Sequence, residues 1–113
     1  MLSIVRDREG PAPRVSRDGE RAVVWLVGEQ DIATVNELSD TLADVVSADA
    51  ADLIVDLSEM TFMSAATIGE FIRIRDTLQG QNRNVALRSP SRFARRLLDL
   101  CGLEGLVELE CAR

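Results

Sequence analysis

Hydrophobic and polar residues alternate along the chain in two different rhythms. Short apolar runs, typical of strands buried on both faces of a sheet, occur at Ala22–Val27, Asp52–Leu57, Val85–Leu87 and Leu106–Leu109. An earlier strand is predicted at Arg14–Ser16, because Asp18-Gly19 accepts the positive backbone dihedrals of a type I′ turn and so predicts a hairpin. Gly28 is expected to end the second strand, and Trp25 is expected to lie in the core.

Three helices are predicted between these strands, because apolar residues there recur at helical spacing. Thr34-Val35-Asn36-Glu37 has the sequence of a capping box and predicts a helix to about Ser47. A second helix is predicted from near Ser64 to Gly80. Ser64 is expected to be its N-cap, with the side-chain hydroxyl accepting a backbone N–H bond.

The third helix is predicted to begin at Ser89-Pro90, with serine as the N-cap and proline at the first helical position. Its single apolar stripe consists of Phe93, Leu97, Leu100 and Cys101. Cys101 is therefore expected in the core. Gly102 followed by Leu103 predicts a glycine C-cap with its hydrophobic contact.

The order of these elements, β-β-α-β-α-β-α-β, predicts an α/β fold in which a mixed β-sheet is covered by α-helices. The chain of 113 residues suits one domain. We assign that domain to residues 13–113 and take residues 1–12 as an N-terminal extension.

Composition limits the chemistry available to this chain. The sequence has no histidine, the side chain most used for acid–base catalysis and metal binding near neutral pH. Cys101 and Cys111 form no CxxC pair, and no P-loop or nucleophile elbow is recognisable. We therefore expect a protein that is not an enzyme and that uses no cofactor and no metal.

The sequence also lacks the features that direct a chain to or across a membrane. No apolar run approaches about 18 residues, so we expect no insertion into a membrane. The N-terminus lacks the long apolar stretch of a secretory signal. These features favour a cytoplasmic protein.

Charge is distributed unevenly along the chain. The formal net charge of −6 argues against a nucleic-acid partner. Residues 29–72 contain ten acidic and no basic residues, whereas residues 73–100 contain seven arginines and two aspartates. The two halves either neutralise each other within one fold, or the acidic half is a docking face that steers a basic partner. Four arginines of the basic half either clasp an acidic partner or a phosphate, or simply form a solvated surface: Arg88, Arg92, Arg95 and Arg96.

Two segments resemble the STAS domain family of anti-sigma factor antagonists, which are small cytoplasmic regulators. Val27–Thr34 reads VGEQDIAT and is similar to the family's G-E-L-D-x-A-T entry into its first helix. Asp56–Gly69 reads DLSEMTFMSAATIG and resembles the family's D-L-S-x-V-x-F-I-D-S-S/A-G-L-G signature, which joins a central strand to the second helix. The resemblance covers roughly residues 13–110 and implies the same fold.

The resemblance implies a protein that acts by binding. Domains of this family bind an anti-sigma factor, usually a Ser/Thr protein kinase, and so free a sigma factor for transcription. The kinase switches the domain off by phosphorylating a serine at the start of the second helix, a position that falls on Ala65 here. If control by phosphate persists, Thr67 is expected to carry it with its side chain facing solvent, and Ser64 is the other nearby hydroxyl. Otherwise the antagonist is insensitive to this control.

We expect the partner-binding surface to combine the loop after the second strand with the start and exposed side of the second helix. It comprises Gly28, Glu29, Asp31, Met63, Ser64, Ala65, Ala66, Thr67 and Glu70. An exposed apolar patch near the end of the chain would favour a homodimer. Two alternative functions stay open, a scaffold subunit of a stress-sensing complex and the STAS subunit of a lipid-transport ABC system.

Overall fold

The computed structural model describes residues 13–48 and 51–108. Within these residues the chain forms five strands and three α-helices: β1 (Arg14–Asp18), β2 (Arg21–Gln30), α1 (Val35–Ala48), β3 (Leu53–Met63), α2 (Ala65–Gln79), β4 (Val85–Arg88), α3 (Arg92–Leu100) and β5 (Val107–Glu108), with a 3₁₀ turn at Glu104–Leu106. The predicted order of elements is confirmed. The extension predicted at residues 1–12 and the last residue of the final predicted strand, Leu109, lie outside the described residues.

The strands form one mixed sheet in the order β1-β2-β3-β4-β5. β1 runs antiparallel to β2, while β2, β3, β4 and β5 are parallel neighbours. Parallel neighbours need a crossover connection, which α1, α2 and α3 provide. The carboxyl ends of β2, β3 and β4 therefore point to the same edge of the sheet, and the chain enters the three helices there. Within the described residues, no helix is long and apolar enough to cross a bilayer.

The hydrophobic core lies on one face of the sheet. Alternate residues of the strands, such as Leu26 and Val55, form a single buried cluster with residues from all three helices. Leu38 of α1, Phe71 of α2 and Leu98 of α3 are fully buried in this cluster. Every second residue of a strand faces the same way. The strand residues in this cluster therefore share one face of the sheet, and α1, α2 and α3 all pack on that face.

The opposite face carries a polar row centred on Asp56. Strand register aligns Trp25, Asp56 and Arg88 across β2, β3 and β4. Asp56 is buried and accepts bonds from the Arg88 Nε atom at 2.7 Å and from the Ser58 backbone N–H at 2.9 Å. The guanidinium carbons of Arg14 and Arg88 lie 5.5 and 5.3 Å from the centroid of the Trp25 ring. Trp25 is therefore a half-buried residue of this face, and its predicted place in the core is wrong.

The second strand differs from its prediction at both ends. Asp18 pairs with Arg21, so the two-residue turn is Gly19-Glu20. Only Gly19 has positive φ there, at 65°, which is the requirement of a type II′ turn and not of the predicted type I′. Gly28 does not end β2, which continues through two register shifts to Gln30.

The helix starts are also held differently from the predictions. The hydroxyl of Thr34 bonds to the preceding loop and forms no bond to a first-turn N–H of α1 among the described residues, so the predicted capping box is not formed. The N-cap of α3 is Ser91, whose hydroxyl accepts the Ala94 N–H at 3.0 Å, and not Ser89. The predicted C-cap is confirmed, because the N–H of Leu103 bonds to the carbonyl of Leu98 beyond the turn at Gly102.

The buried side of α3 is not the predicted one. Ala94 and Leu98 are its buried residues, whereas Phe93, Leu100 and the following Cys101 are exposed. The predicted core position of Cys101 is therefore wrong. The spacing of apolar residues defines an apolar arc around the helix, but it does not determine which half of a wide arc contacts the sheet.

Asp56→Asn is expected to lower the free energy of unfolding at pH 7 by about 1–3 kcal/mol, because it leaves Arg88 without its carboxylate. Burial raises the pKa of Asp56, but the hydrogen bonds from Ser58 and Arg88 together outweigh it and leave that pKa below its ordinary value. A carboxyl group whose pKa is lowered by folding stabilises the folded state above about pH 4, and this stabilisation is lost as the pH falls further. Urea unfolding between pH 7 and 2.5 should show the difference between wild type and variant shrinking in acid.

The matched control is Asp76→Asn, which removes an exposed carboxylate paired with Arg75. Such pairs contribute little, so this variant should stay within about 0.5 kcal/mol of wild type at every pH. A loss for Asp56→Asn that is equally large at pH 2.5 would contradict the assignment to the charged carboxylate.

Candidate partner-binding site

Two chain segments meet at the edge of the sheet where α1 and α2 begin. The ends of β2 and β3 pair there, with Glu29 opposite Phe62 and Gln30 opposite Met63. Immediately beyond these pairs, the segment after β2 turns through residues 31–34 into α1, and the segment after β3 enters α2 at Ala65. The two segments that resemble the STAS family are therefore neighbours in the fold.

The two segments are joined through Gln30, which is almost fully buried. The backbone carbonyl of Gln30 accepts the Ser64 N–H at 2.9 Å and the Thr67 hydroxyl at 3.1 Å. Its side-chain amide donates to the Val27 carbonyl at 3.1 Å. Both ends of Gln30 are thus used internally, and the residue fixes the start of α2 against the end of β2.

The loop between β2 and α1 is closed by its own polar side chains. The carboxylate of Asp31 accepts the Ala33 N–H at 2.9 Å, and the hydroxyl of Thr34 accepts the Asp31 N–H at 3.0 Å. These bonds are the local turn pattern favoured by aspartate and threonine. Asp31 therefore shapes the loop as well as lying partly exposed on the surface.

Gly28 lies where the pairing of β2 and β3 changes register. The register shifts between Trp25 and Val27 and again between Gly28 and Glu29. Gly28 has φ 78°, a conformation that other residues adopt only with strain. The glycine allows the bulged strand to bend and to direct Glu29 outward.

The predicted surface residues differ widely in accessibility. Glu29 and Ala65 are exposed. Five others are partly exposed: Gly28, Asp31, Ser64, Ala66 and Glu70. Met63 and Thr67 are buried, so neither side chain presents itself to a partner.

The expectation that the Thr67 side chain faces solvent is wrong. Thr67 is fully buried in the first turn of α2 and donates its hydroxyl proton to the Gln30 carbonyl. Ser64 is the N-cap of α2, as predicted, but its hydroxyl makes no cap bond and has no hydrogen-bond partner among the described residues. The Ser64 backbone carbonyl accepts the N–H groups of Thr67 and Ile68, as the first hydrogen bonds of the helix.

Glu70 is engaged within the helical layer. Its carboxylate lies 2.8 Å from Nη2 of Arg73, and the same nitrogen donates to the Ser39 hydroxyl on α1 at 2.9 Å. The bond to Glu70 raises the pKa of Arg73 above its ordinary value. Glu70 therefore helps to tie α2 to α1 and is less available to a partner than its sequence position indicates.

Sequence reasoning missed two exposed apolar residues on these segments. Ile32 in the loop is 74% exposed, and Phe62 at the end of β3 is 46% exposed. The signal available was an isoleucine between Asp31 and Thr34, inside a turn where polar residues are the rule.

The comparisons with known proteins agree with this fold. A family model described as "Mlab, STAS domain" matches residues 14–108. The chain belongs to the STAS domain family, and the family resemblance of the two segments is confirmed.

Individual relatives and solved structures are similar to this chain at lower sequence identity, between 20% and 28%. The chain is 28% identical over 86 residues to an anti-sigma-B factor antagonist of Staphylococcus epidermidis, an alignment that covers 76% of this chain and 80% of the relative. The fold is similar to the crystal structure of an anti-sigma factor antagonist from Mycobacterium paratuberculosis, with TM-score 0.78, 24% identity and coverage of 89% and 86% of the two chains. It is also similar to the anti-sigma factor antagonist SpoIIAA in its unphosphorylated form, with TM-score 0.76, 20% identity and 86% coverage of both chains.

Thr67→Val is expected to lower the free energy of unfolding by about 1 kcal/mol, because valine keeps the shape of threonine and loses the bond to the Gln30 carbonyl. The Ser64 N–H still satisfies that carbonyl in part. Urea denaturation of both proteins measures the difference. Thr77→Val, at an exposed position of α2, is the control and should change stability by less than about 0.5 kcal/mol. Equal stabilities of Thr67→Val and wild type would remove the role given to this hydroxyl.

Proposed function

We propose that this protein is an anti-sigma factor antagonist. It binds an anti-sigma factor of the Ser/Thr kinase type and so releases a sigma factor for transcription. Membership of the STAS family and the similarity to the anti-sigma-B factor antagonist of Staphylococcus epidermidis support this assignment. The protein acts by binding, and the reaction it influences is carried out by others.

The observation that carries the proposal is the composition of the surface around Ala65. This surface is formed by residues 28–32 and 62–66, and we call it the joined surface. Ala65 is exposed, opens α2 and lies beyond the paired ends of β2 and β3. Ile32 and Phe62 supply exposed apolar side chains on the two segments, and Glu29 supplies a charge opposite Phe62. A few apolar anchors inside a polar surround are the usual source of affinity in a protein–protein interface.

The charge of the surrounding surface supports a basic partner surface. Glu29 and Asp31 lie on the joined surface, and the ten acidic residues of 29–72 include exposed Asp40 and Asp44 of α1. Acidic groups at and beside a docking site increase the rate of association with a positively charged partner. We therefore assign the acidic half of the chain to steering as well as to internal neutralisation.

We propose further that phosphorylation at the start of α2 does not switch this antagonist off. Ala65 has the exposed position that a phosphoacceptor needs, but it has no hydroxyl. The Thr67 hydroxyl is buried and bonded, and the Ser64 hydroxyl is buried as well. A kinase could reach either of them only after the first turn of α2 had opened.

Ala65→Glu is expected to weaken binding to the anti-sigma factor encoded in the same genome by at least tenfold. The longer side chain would displace the partner from the apolar anchors, and its carboxylate would have to be desolvated at the centre of the interface, while its position at a helix start favours the fold. Titration calorimetry gives the affinity, and thermal unfolding verifies that the variant is folded.

The matched control is Ala43→Glu, which makes the same change at an exposed position of α1. It should leave the affinity within about twofold of wild type, a difference of roughly 0.4 kcal/mol. Unchanged binding by folded Ala65→Glu would place the contact elsewhere and overturn the assignment of this surface.

Wild-type protein incubated with its anti-sigma kinase and ATP is expected to receive no phosphate at residues 64–67. Ala65→Ser should be phosphorylated at the new hydroxyl and should then lose the anti-sigma factor, because the phosphate adds about −1.5 to −2 charge at the docking surface. Peptide mass mapping measures both. Phosphate on Ser64 or Thr67 of the wild type would show that the switch has moved and not been lost.

The broader assignment is tested by identifying the protein that binds the full chain in its own cells. Affinity purification of the tagged chain, followed by mass spectrometry, should recover an anti-sigma factor. Recovery of large assemblies with sensor homologues would favour the stress-sensing scaffold. Recovery of a transporter nucleotide-binding subunit would favour the lipid-transport role.

A further inference from the structure

We propose that the outer side of α3 is a second docking surface, and that it binds an acidic amphipathic helix of a partner protein. The surface consists of Phe93 and Leu100 with the arginines Arg92, Arg95 and Arg96. It shares no residue with the joined surface around Ala65, and the inference does not depend on the proposed function.

The apolar arc of α3 is wider than the part that the fold uses. Ala94 and Leu98 are buried against the core. Phe93 is 61% exposed and Leu100 is 77% exposed, and partly buried Leu97 lies between them. Residues spaced 93, 97 and 100 fall on one side of a helix. They form a stripe that is exposed at both ends and partly buried at Leu97 in the middle.

The arginines beside this stripe are not used by the fold. Arg92, Arg95 and Arg96 are exposed and form no ion pair with any described residue. Arg88 differs, because it is bonded to Asp56. The sequence left open whether these arginines serve a partner or only a solvated surface, and this difference separates Arg88 from the other three.

Phe93 and the three arginines share one open depression. It has a volume of about 660 Å³ and is lined by Arg92, Phe93, Arg95, Arg96 and Asp99. Asp99 offsets one positive charge, so the region keeps an excess of cationic groups. Arginine and aromatic side chains together are the combination most enriched at the centres of protein interfaces.

Charge complementarity identifies the occupant as acidic, and the stripe identifies it as amphipathic. The nine residues of α3 extend about 13 Å. An antiparallel or crossed partner helix could therefore place two or three turns along them. Its leucine-like residues would cover Phe93 and Leu100, and its carboxylates would reach the flanking guanidinium groups.

Two other occupants fit less well. A second copy of this chain has a suitable acidic amphipathic helix in α1, but the apolar residues of that helix, Leu38 and Leu42, are fully buried in its own core. An anionic bilayer would approach much more of the molecule than α3, and the net charge of −6 opposes that approach. A helical segment contacts only the cationic region itself.

The experiment uses a fluorescent synthetic helix of about four turns, with leucine at i, i+3, i+4 and i+7 and glutamate at most other positions. Fluorescence anisotropy measures its binding to the full chain. We expect saturable binding that weakens at least tenfold for Arg92→Glu/Arg96→Glu and at least fivefold for Phe93→Ser. The same peptide with lysine in place of glutamate, or serine in place of leucine, should not bind.

The control variant is Arg14→Glu/Arg75→Glu, which makes the same change in net charge away from α3 and disrupts two surface ion pairs and the contact of Arg14 with the Trp25 ring. It should bind the acidic peptide within about twofold of wild type, a difference of roughly 0.4 kcal/mol or less. Thermal unfolding is expected to show that all variants are folded, since none of the substituted side chains is buried.

Three results would overturn the inference. In the first, folded Arg92→Glu/Arg96→Glu binds the acidic peptide as well as wild type and the control variant do. In the second, vesicles of phosphatidylglycerol capture wild type but not that variant, while the peptide fails to bind. In the third, light scattering shows a wild-type dimer that Phe93→Ser dissociates, which would assign the stripe to a second copy.

Discussion

The carbonyl oxygen of Gln30 is the point on which the geometry of the proposed partner surface depends. It accepts one hydrogen bond from the backbone N–H of Ser64 and one from the hydroxyl of Thr67, so a single buried oxygen holds the end of β2 and the start of α2 together. Buried carbonyl groups without partners are costly, and this pairing gives the two segments one shared geometry. Ile32, Phe62 and Ala65 can then lie at fixed positions although they belong to different segments of the chain.

Most of the fold was predictable because strand and helix periodicities differ clearly in this sequence. The order of the elements, the start of α2 after Ser64 and the C-cap at Gly102 follow from local patterns that the structure confirms. Strand ends were less predictable. β3 continues to Met63 because it pairs with the bulged end of β2, and long-range pairing of this kind leaves no signal in either strand alone.

The sequence predicts that the two candidate segments are neighbours, but it does not predict which of their residues are buried. The resemblance places Thr67 at a position where the family has glycine, and nothing in the local sequence shows that its hydroxyl turns inward to Gln30. In the sequence, Gln30 looks like an exposed loop residue because it stands between Glu29 and Asp31, although it is buried in the structure. For α3, the apolar spacing fixes the width of the arc, whereas contact with the sheet decides that Ala94 is buried and Phe93 is not. Burial is a property of the assembled layers.

The position of Trp25 has a spectroscopic consequence. It is the single tryptophan, and the chain has no tyrosine, so the near-ultraviolet emission of the protein comes almost entirely from one ring. That ring lies beside two guanidinium groups on the side of the sheet opposite α1, α2 and α3. Its emission therefore reports on the integrity of the sheet, while ligands that dock on the helical side leave the fluorophore untouched.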